Sequence, residues 1–107
     1  MTVLSIQSLE EFDEKIQSMK PVVIDFGAER YKPCREISPV FEQFSEKVPG
    51  VDFCKVDVDA QMKIIQEMGI IAWPTFILFQ SGNKVKEIKG TNRQNLQALI
   101  VEARSLV

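Results

Sequence analysis

The sequence predicts an α/β domain, a mixed five-stranded sheet held between layers of helix in a three-layer sandwich, and three observations carry that reading. Apolar runs rich in β-branched and aromatic residues, VVIDF at 22–26 and PTFILF at 74–79 among them, alternate with segments whose apolar residues recur at helical spacing. Strands joined through helices imply right-handed parallel crossovers. The short SGN link at 81–83 joins only antiparallel neighbours, so the sheet is mixed.

Each element has its own local signal. VLSI, residues 3–6, is a short strand, and Ser8 with Glu11 fits a capping box for a helix whose apolar face is Leu9, Phe12, Ile16 and Met19. Pro21 closes it. The run at 22–26 is a buried central strand interrupted by one carboxylate, Asp25. Pro33 suits the first turn of a second helix with the stripe Ile37, Val40, Phe41 and Phe44. Pro39 lies inside that helix, removes one of its hydrogen bonds and is expected to bend it. After a turn at Pro49 and Gly50, VDFCKVDV at 51–58 is a second interior strand, and AQMKIIQEMG at 60–69 a short helix stopped by Gly69. PTFILF is the third strong strand, SGN turns it into KVKEIK at 84–89, and a closing helix covers residues 92–103. No repeat or linker divides residues 1–107, which are expected to form one domain.

Composition narrows the function classes. A chain of 107 residues with 45% apolar and 26% charged residues supports one real core and argues against global disorder. Its formal charge of -2, without a basic block, disfavours nucleic acid or an anionic membrane as partner. The start MTVLSIQSLEEFDEK lacks the basic and apolar segments of a secretory signal, and no apolar run approaches membrane-spanning length, so a cytoplasmic location is expected. Histidine is absent. That removes Ser-His-Asp and Cys-His catalysis, and two cysteines cannot complete a four-thiolate metal site within one chain. No metal or other cofactor is called for.

What remains is a thiol, carboxylates, amines or a tyrosine. Cys34 follows Pro33 at the start of the second helix, with Arg30, Lys32 and Arg35 nearby. It reads either as a structural thiol only partly accessible behind Tyr31, or, since a helix N-terminus and cationic neighbours favour a thiolate, as a thiol suited to a mixed disulfide with glutathione or with a protein. Strand alternation puts Cys54 on the opposite face from Phe53 and Lys55. A disulfide needs Cα atoms within roughly 7 Å, so Cys54 reads as a packing residue and not as a partner for Cys34. Asp25, in an otherwise apolar strand, is expensive unless it is paired or kept protonated.

The sequence resembles the thioredoxin family over essentially its whole length. VVIDFGAERYKPCREISPVFEQFSE stands where that family has a strand, its redox loop and a kinked second helix, and VDFCKVDVD, GIIAWPTFILFQSG and the late KG follow in family order. The resemblance implies a thioredoxin-like three-layer sandwich with five strands and four helices. It also implies catalytic roles for Cys34, Asp25 and Lys55, with Asp25 a buried proton-transfer group near Lys55. Pro74 matches a cis proline beside the redox loop, where the backbone around Trp73, Pro74 and Thr75 would pair with an extended substrate. Family members usually carry Trp-Cys-Gly-Pro-Cys in the loop, and here the matching residues are Arg30, Tyr31, Lys32, Pro33 and Cys34. Tyr31 therefore stands at the attacking position and Cys34 at the resolving one. A phenol cannot take part in thiol exchange, which implies a dithiol reductase cycle that is lost or severely weakened.

Further departures cluster at the same rim. Gly27 and Arg30 replace tryptophans, Trp73 replaces a smaller residue and is a candidate to pack across Tyr31, and the cations Arg30 and Lys32 are expected to favour acidic partners. The partners that the resemblance implies are protein disulfides or thiols, with glutathione and thioredoxin reductase as further candidates. Two alternatives stay open, monothiol chemistry by Cys34 with glutathione and a non-catalytic protein-binding module.

Overall fold

Side-chain alternation along two central strands decides which helix covers which face. The computed structural model describes residues 3–107, in the order β1 Val3–Ser5, α1 Leu9–Ile16, β2 Val22–Gly27, α2 Lys32–Lys47, β3 Asp52–Asp57, α3 Met62–Met68, β4 Thr75–Gln80, β5 Asn83–Lys89 and α4 Arg93–Ser105. The sheet order is β1-β3-β2-β4-β5. β3 runs parallel to β1 and β2, whereas β4 is antiparallel to both β2 and β5. Five strands and four helices thus form the mixed sandwich that the pattern predicts.

On one face Val23, Phe53, Phe76 and Leu78 pack under Ile37 and Phe41 of α2 and Leu96 and Leu99 of α4. On the other, Ile24, Phe26, Cys54 and Ile77 pack under Phe12 and Ile16 of α1 and Ile64 of α3. Two cores of this kind need strands buried on both sides, which is why β2 and β4 read as continuous apolar runs. The aromatic residues lock the layers together, with the Phe41 ring 5.4 Å from that of Phe53 and 5.5 Å from that of Phe76.

Local chemistry fixes the helix ends. Ser8 accepts from the Glu11 N–H at 3.0 Å, and the Glu11 carboxylate accepts from the Gln7 N–H at 2.6 Å. Gly69 ends α3 in the left-handed region, φ 64°, where a side chain would be strained. α2 continues through Pro39, which supplies no N–H for Arg35, while the Ser38 hydroxyl donates to the Cys34 carbonyl at 2.8 Å.

Element ends shift by one or two residues at several places, and two differences from the sequence reading have a clear physical cause. α1 stops at Ile16, so Met19 leaves the apolar face and is 84% exposed. Its place at the helix end is taken by the β4–β5 turn, whose Gly82 and Ser81 N–H groups donate to the carbonyls of Ile16 and Ser18 at 2.7 and 3.0 Å. That turn has two residues and not three, because Ser81 and Gly82 both adopt positive φ, 53° and 83°. This is the primed geometry that matches strand twist, and it returns Asn83 to the ladder opposite Gln80.

Phe41 joins α2 to the sheet directly beneath the helix that carries Cys34. Truncating it to alanine is expected to destabilise the domain by about 3–5 kcal/mol, read as a lowered midpoint of urea unfolding. A change under about 1 kcal/mol would show that α2 is held by other contacts.

Candidate active site

Asp25 is placed by register. It sits opposite Lys55 on β3 and opposite Phe76 on β4, on the sheet face covered by α2, and cannot turn away without flipping all of β2. The residue is only 8% exposed, and its Oδ1 has no hydrogen-bond partner. Desolvation pushes its pKa up to about 7, with the half-buried Lys55 pulling the other way. The structure therefore brings together three sequence-predicted residues, Asp25, Lys55 and Cys34, around one cavity of about 530 Å³ beneath α2.

Cys34 occupies the first turn of α2, where Tyr31 is the N-cap residue and Pro33 lies in the first turn. Its N–H donates to the Tyr31 carbonyl at 3.0 Å, which leaves Tyr31 itself on the surface, 42% exposed. Cys34 is 4% exposed. Of the two sequence readings of Cys34, a structural thiol largely covered in its family position and a thiolate activated by the helix start and nearby cations, burial favours the first. Burial pushes the Cys34 thiol up and outweighs a hydrogen bond from the Ala28 backbone; the nearby Asp25 charge adds to the rise and Arg30 opposes it.

The expected cationic rim is also corrected. The Arg30 guanidinium is held by both carboxylate oxygens of Asp59, at 2.8 and 3.1 Å, and that bidentate pair raises the Arg30 pKa and lowers that of Asp59. Lys32 reaches Glu36 at 3.8 Å, and the Arg35 guanidinium donates to the Glu29 carbonyl at 3.0 Å. Arg30 is thus already answered within the chain, whereas Lys32 stays largely exposed beside Glu36. Asp59 carried no signal in the sequence, since a pair spanning 29 positions has no local period.

At the β4 end the site residues separate. The Trp73–Pro74 peptide bond is cis. Phe26 pairs with Thr75, so the loops leaving β2 and entering β4 emerge at the same end of the sheet. Thr75 is buried and its hydroxyl donates to the Ala72 carbonyl at 2.6 Å, so its side chain is turned inward. Trp73 is half-buried against the core containing Phe12 and Ile64. It makes no ring contact with Tyr31 among the described residues, and its packing against the core fits the space-filling role open to it from sequence beside packing across Tyr31 or enlarging a peptide surface. Cys54 is fully buried in that same core, on the sheet face opposite Asp25, and both cysteines are free thiols. Burial pushes the Cys54 pKa to about 11.

Gly27 is the residue whose positioning effect the sequence did not disclose. A carbon at its Cβ position would lie 3.2 Å from Asp25 Oδ1 and 3.2 Å from Cys34 Sγ, tighter than most real contacts. Its missing side chain thus lets the carboxylate and the thiol close in to a spacing that would crowd even one carbon.

A mixed sheet presenting a thiol in the first turn of a helix, above a buried carboxylate, defines a thiol-redox scaffold. Comparison with known proteins makes the class specific: the Thioredoxin family profile matches residues 3–102, and this chain belongs to the thioredoxin family. It is 44% identical to a thioredoxin of Malassezia sympodialis over 99 residues, covering 91% of this chain and 94% of that protein. It is 41% identical to Thioredoxin-2 of Pyricularia oryzae over 94% of this chain, which spans 58% of that relative's length. The crystal structure of the Malassezia sympodialis thioredoxin superposes with a TM-score of 0.90 at 43% identity, covering 95% of this chain and 90% of that one. The protein is a thioredoxin-like redox protein, and no helix among the described residues is long and apolar enough to cross a membrane.

The Asp25 environment predicts an inverted pH dependence. Its folded pKa of about 7 lies above the ordinary 3.8, so between those values the folded chain holds a proton that the unfolded chain releases. The associated stabilisation is complete below pH 3.8 and is lost as pH rises through 7. Asp25→Asn is therefore expected to gain stability over the parent with rising pH, by on the order of 2–4 kcal/mol once Asp25 is ionised. Urea unfolding of both proteins across that window tests it; a gap that shrinks as pH rises would refute the assignment.

Proposed function

We propose that this thioredoxin-family protein keeps a site for thiol and peptide partners while its internal dithiol reductase cycle is lost or severely weakened. The observation that carries the reading is the placement of its two thiols. Cys34 stands alone at the start of α2, and Cys54 lies buried on the far face of the sheet. Reducing a disulfide through an internal cycle takes two electrons from two thiols that can join each other. Tyr31, at the position the family resemblance gives to the attacking thiol, supplies none. One thiol can form a mixed disulfide and then waits for an outside thiol to release it.

Partner binding needs neither cysteine. The Trp73 backbone makes no turn or loop hydrogen bond among the described residues, and it emerges at the same end of the sheet as the Cys34 loop. An extended segment of a protein thiol or disulfide would pair there by main-chain hydrogen bonds, without a contribution from the Thr75 side chain. With Arg30 bound to Asp59, selectivity for acidic partners falls mainly to Lys32. A cytoplasmic setting, with glutathione and thioredoxin reductase at hand, fits this chemistry.

An insulin-disulfide reduction assay with dithiothreitol separates the possibilities. The parent and Cys34→Ser are expected to stay near the uncatalysed rate, and Tyr31→Cys to exceed them by on the order of tenfold or more. Strong turnover by the parent, abolished in Cys34→Ser, would replace this reading with a monothiol mechanism.

A further inference from the structure

The end of the β2–β3 ladder brings two loops side by side. Gly27 pairs with Asp57, and the Val58 N–H donates to the Gly27 carbonyl at 3.0 Å, so residues 28–31 and 58–61 leave neighbouring strands together. The second loop is a tight turn, in which the Gln61 N–H donates to the Asp57 carbonyl at 2.9 Å and the Asp59 N–H to Asp57 Oδ1 at 2.9 Å. Asp59 is therefore held in place before it meets any partner. Its carboxylate takes the Nε and Nη2 donors of Arg30 at 2.8 and 3.1 Å, although both side chains are more than half exposed, 63% for Arg30 and 53% for Asp59.

Packing does not call for this pair, since both residues lie outside the two cores. Its position gives it a use. Arg30 precedes Tyr31, Asp59 lies three residues before Met62, and both loops open at the sheet end where β4 starts after Trp73 and Pro74. Tyr31, Met62 and Ile71 are exposed apolar residues of that same end. A bare guanidinium there would select an acidic side chain. With one fork and its charge already taken, Arg30 offers a second carboxylate only the Nη1 side, next to the like charge of Asp59. The internal carboxylate also needs no association step, which gives it the advantage of a high effective concentration.

We propose that Asp59 determines the charge specificity of the partner site: it occupies Arg30 as an acidic partner would, and the partner that fits is a neutral, apolar extended segment. This rests on the reading that an extended segment pairs along the Trp73 backbone. Lys32, 77% exposed beside Glu36, is left to supply a small preference for acid. An exposed ion pair is worth only a few-fold in affinity, so removing Asp59 changes selectivity by that factor and does not switch binding on or off.

Two blocked hexapeptides, valine alternating with glutamate or with glutamine, test the proposal on the full chain, with binding read from the Trp73 amide and Arg30 Nε–H resonances. The parent is expected to bind the two peptides within about twofold of each other, and Asp59→Asn, which keeps the side-chain shape, to favour glutamate about fivefold. Arg30→Gln in the Asp59→Asn background should abolish that preference, and about 1 M salt, where the Debye length is about 3 Å, should erase most of it. Glu46→Gln makes the same change in net charge at the far end of α2 and should leave the parent's selectivity as it is. A fivefold preference already present in the parent, its absence in Asp59→Asn, or its survival without Arg30 would overturn the proposal. Inorganic phosphate, which needs no strand pairing, gives a second measurement. It should shift the Arg30 Nε–H of Asp59→Asn at several-fold lower concentration than that of the parent, and equal titrations would also overturn the proposal. Peptides that leave the Trp73 amide unmoved in every variant would refute the strand-pairing reading, and the phosphate titration then decides whether Asp59 masks Arg30.

Discussion

A carboxylate locked inside the sheet by the register of two parallel strands is the constraint on which the site depends. Asp25 pairs with Lys55 across the β2–β3 ladder, and alternation then commits Val23 and Phe53 to one core and Ile24 and Cys54 to the other. Moving Asp25 to water would mean exchanging both cores, which costs far more than keeping one acid buried. The fold therefore tolerates Asp25 by raising its pKa and by placing Lys55 close enough to moderate the rise. The same alternation separates Cys54 from Cys34. One geometric rule thus sets both the carboxylate beneath the thiol and the distance of Cys54 from it.

Much of the fold was legible in the sequence because local signals and burial pointed the same way. The apolar runs of β2 and β4, the capping box at Ser8 and the Gly69 stop each carry their cause within a few residues. Met19 was misplaced because helical spacing continues past Ile16, whereas the chain end of α1 is settled by carbonyls that accept from the distant β4–β5 turn. The turn itself was read one residue too long, since SGN does not reveal that Ser81 joins Gly82 at positive φ.

The site was legible as a set of residues and less so as an environment. Cys34, Asp25 and Lys55 do line one cavity, but cations close in sequence to Cys34 suggested a lowered thiol pKa, and burial decides the opposite direction. Sequence proximity says that Arg30 is near the thiol; it does not say that Asp59 holds it. Thr75 and Trp73 illustrate the same limit, because the chain around them runs beside the Cys34 loop while their own side chains turn into hydrogen bonding and core packing. A glycine offers still less to read. Gly27 acts through the volume it leaves empty, which is visible only when Asp25 and Cys34 are both in place.

Family likeness and site chemistry answer different questions here. A TM-score of 0.90 reports that the backbone follows the same path, and a backbone path is dictated by the two cores and the strand register. Disulfide chemistry depends on single sulfur atoms, and exchanging cysteine for tyrosine at the N-cap of α2 alters a side chain that is 42% exposed and outside both cores. Packing therefore places almost no restraint on that position, and the scaffold persists whichever residue occupies it. The converse holds for Asp25, whose burial costs stability whether or not a proton is ever transferred.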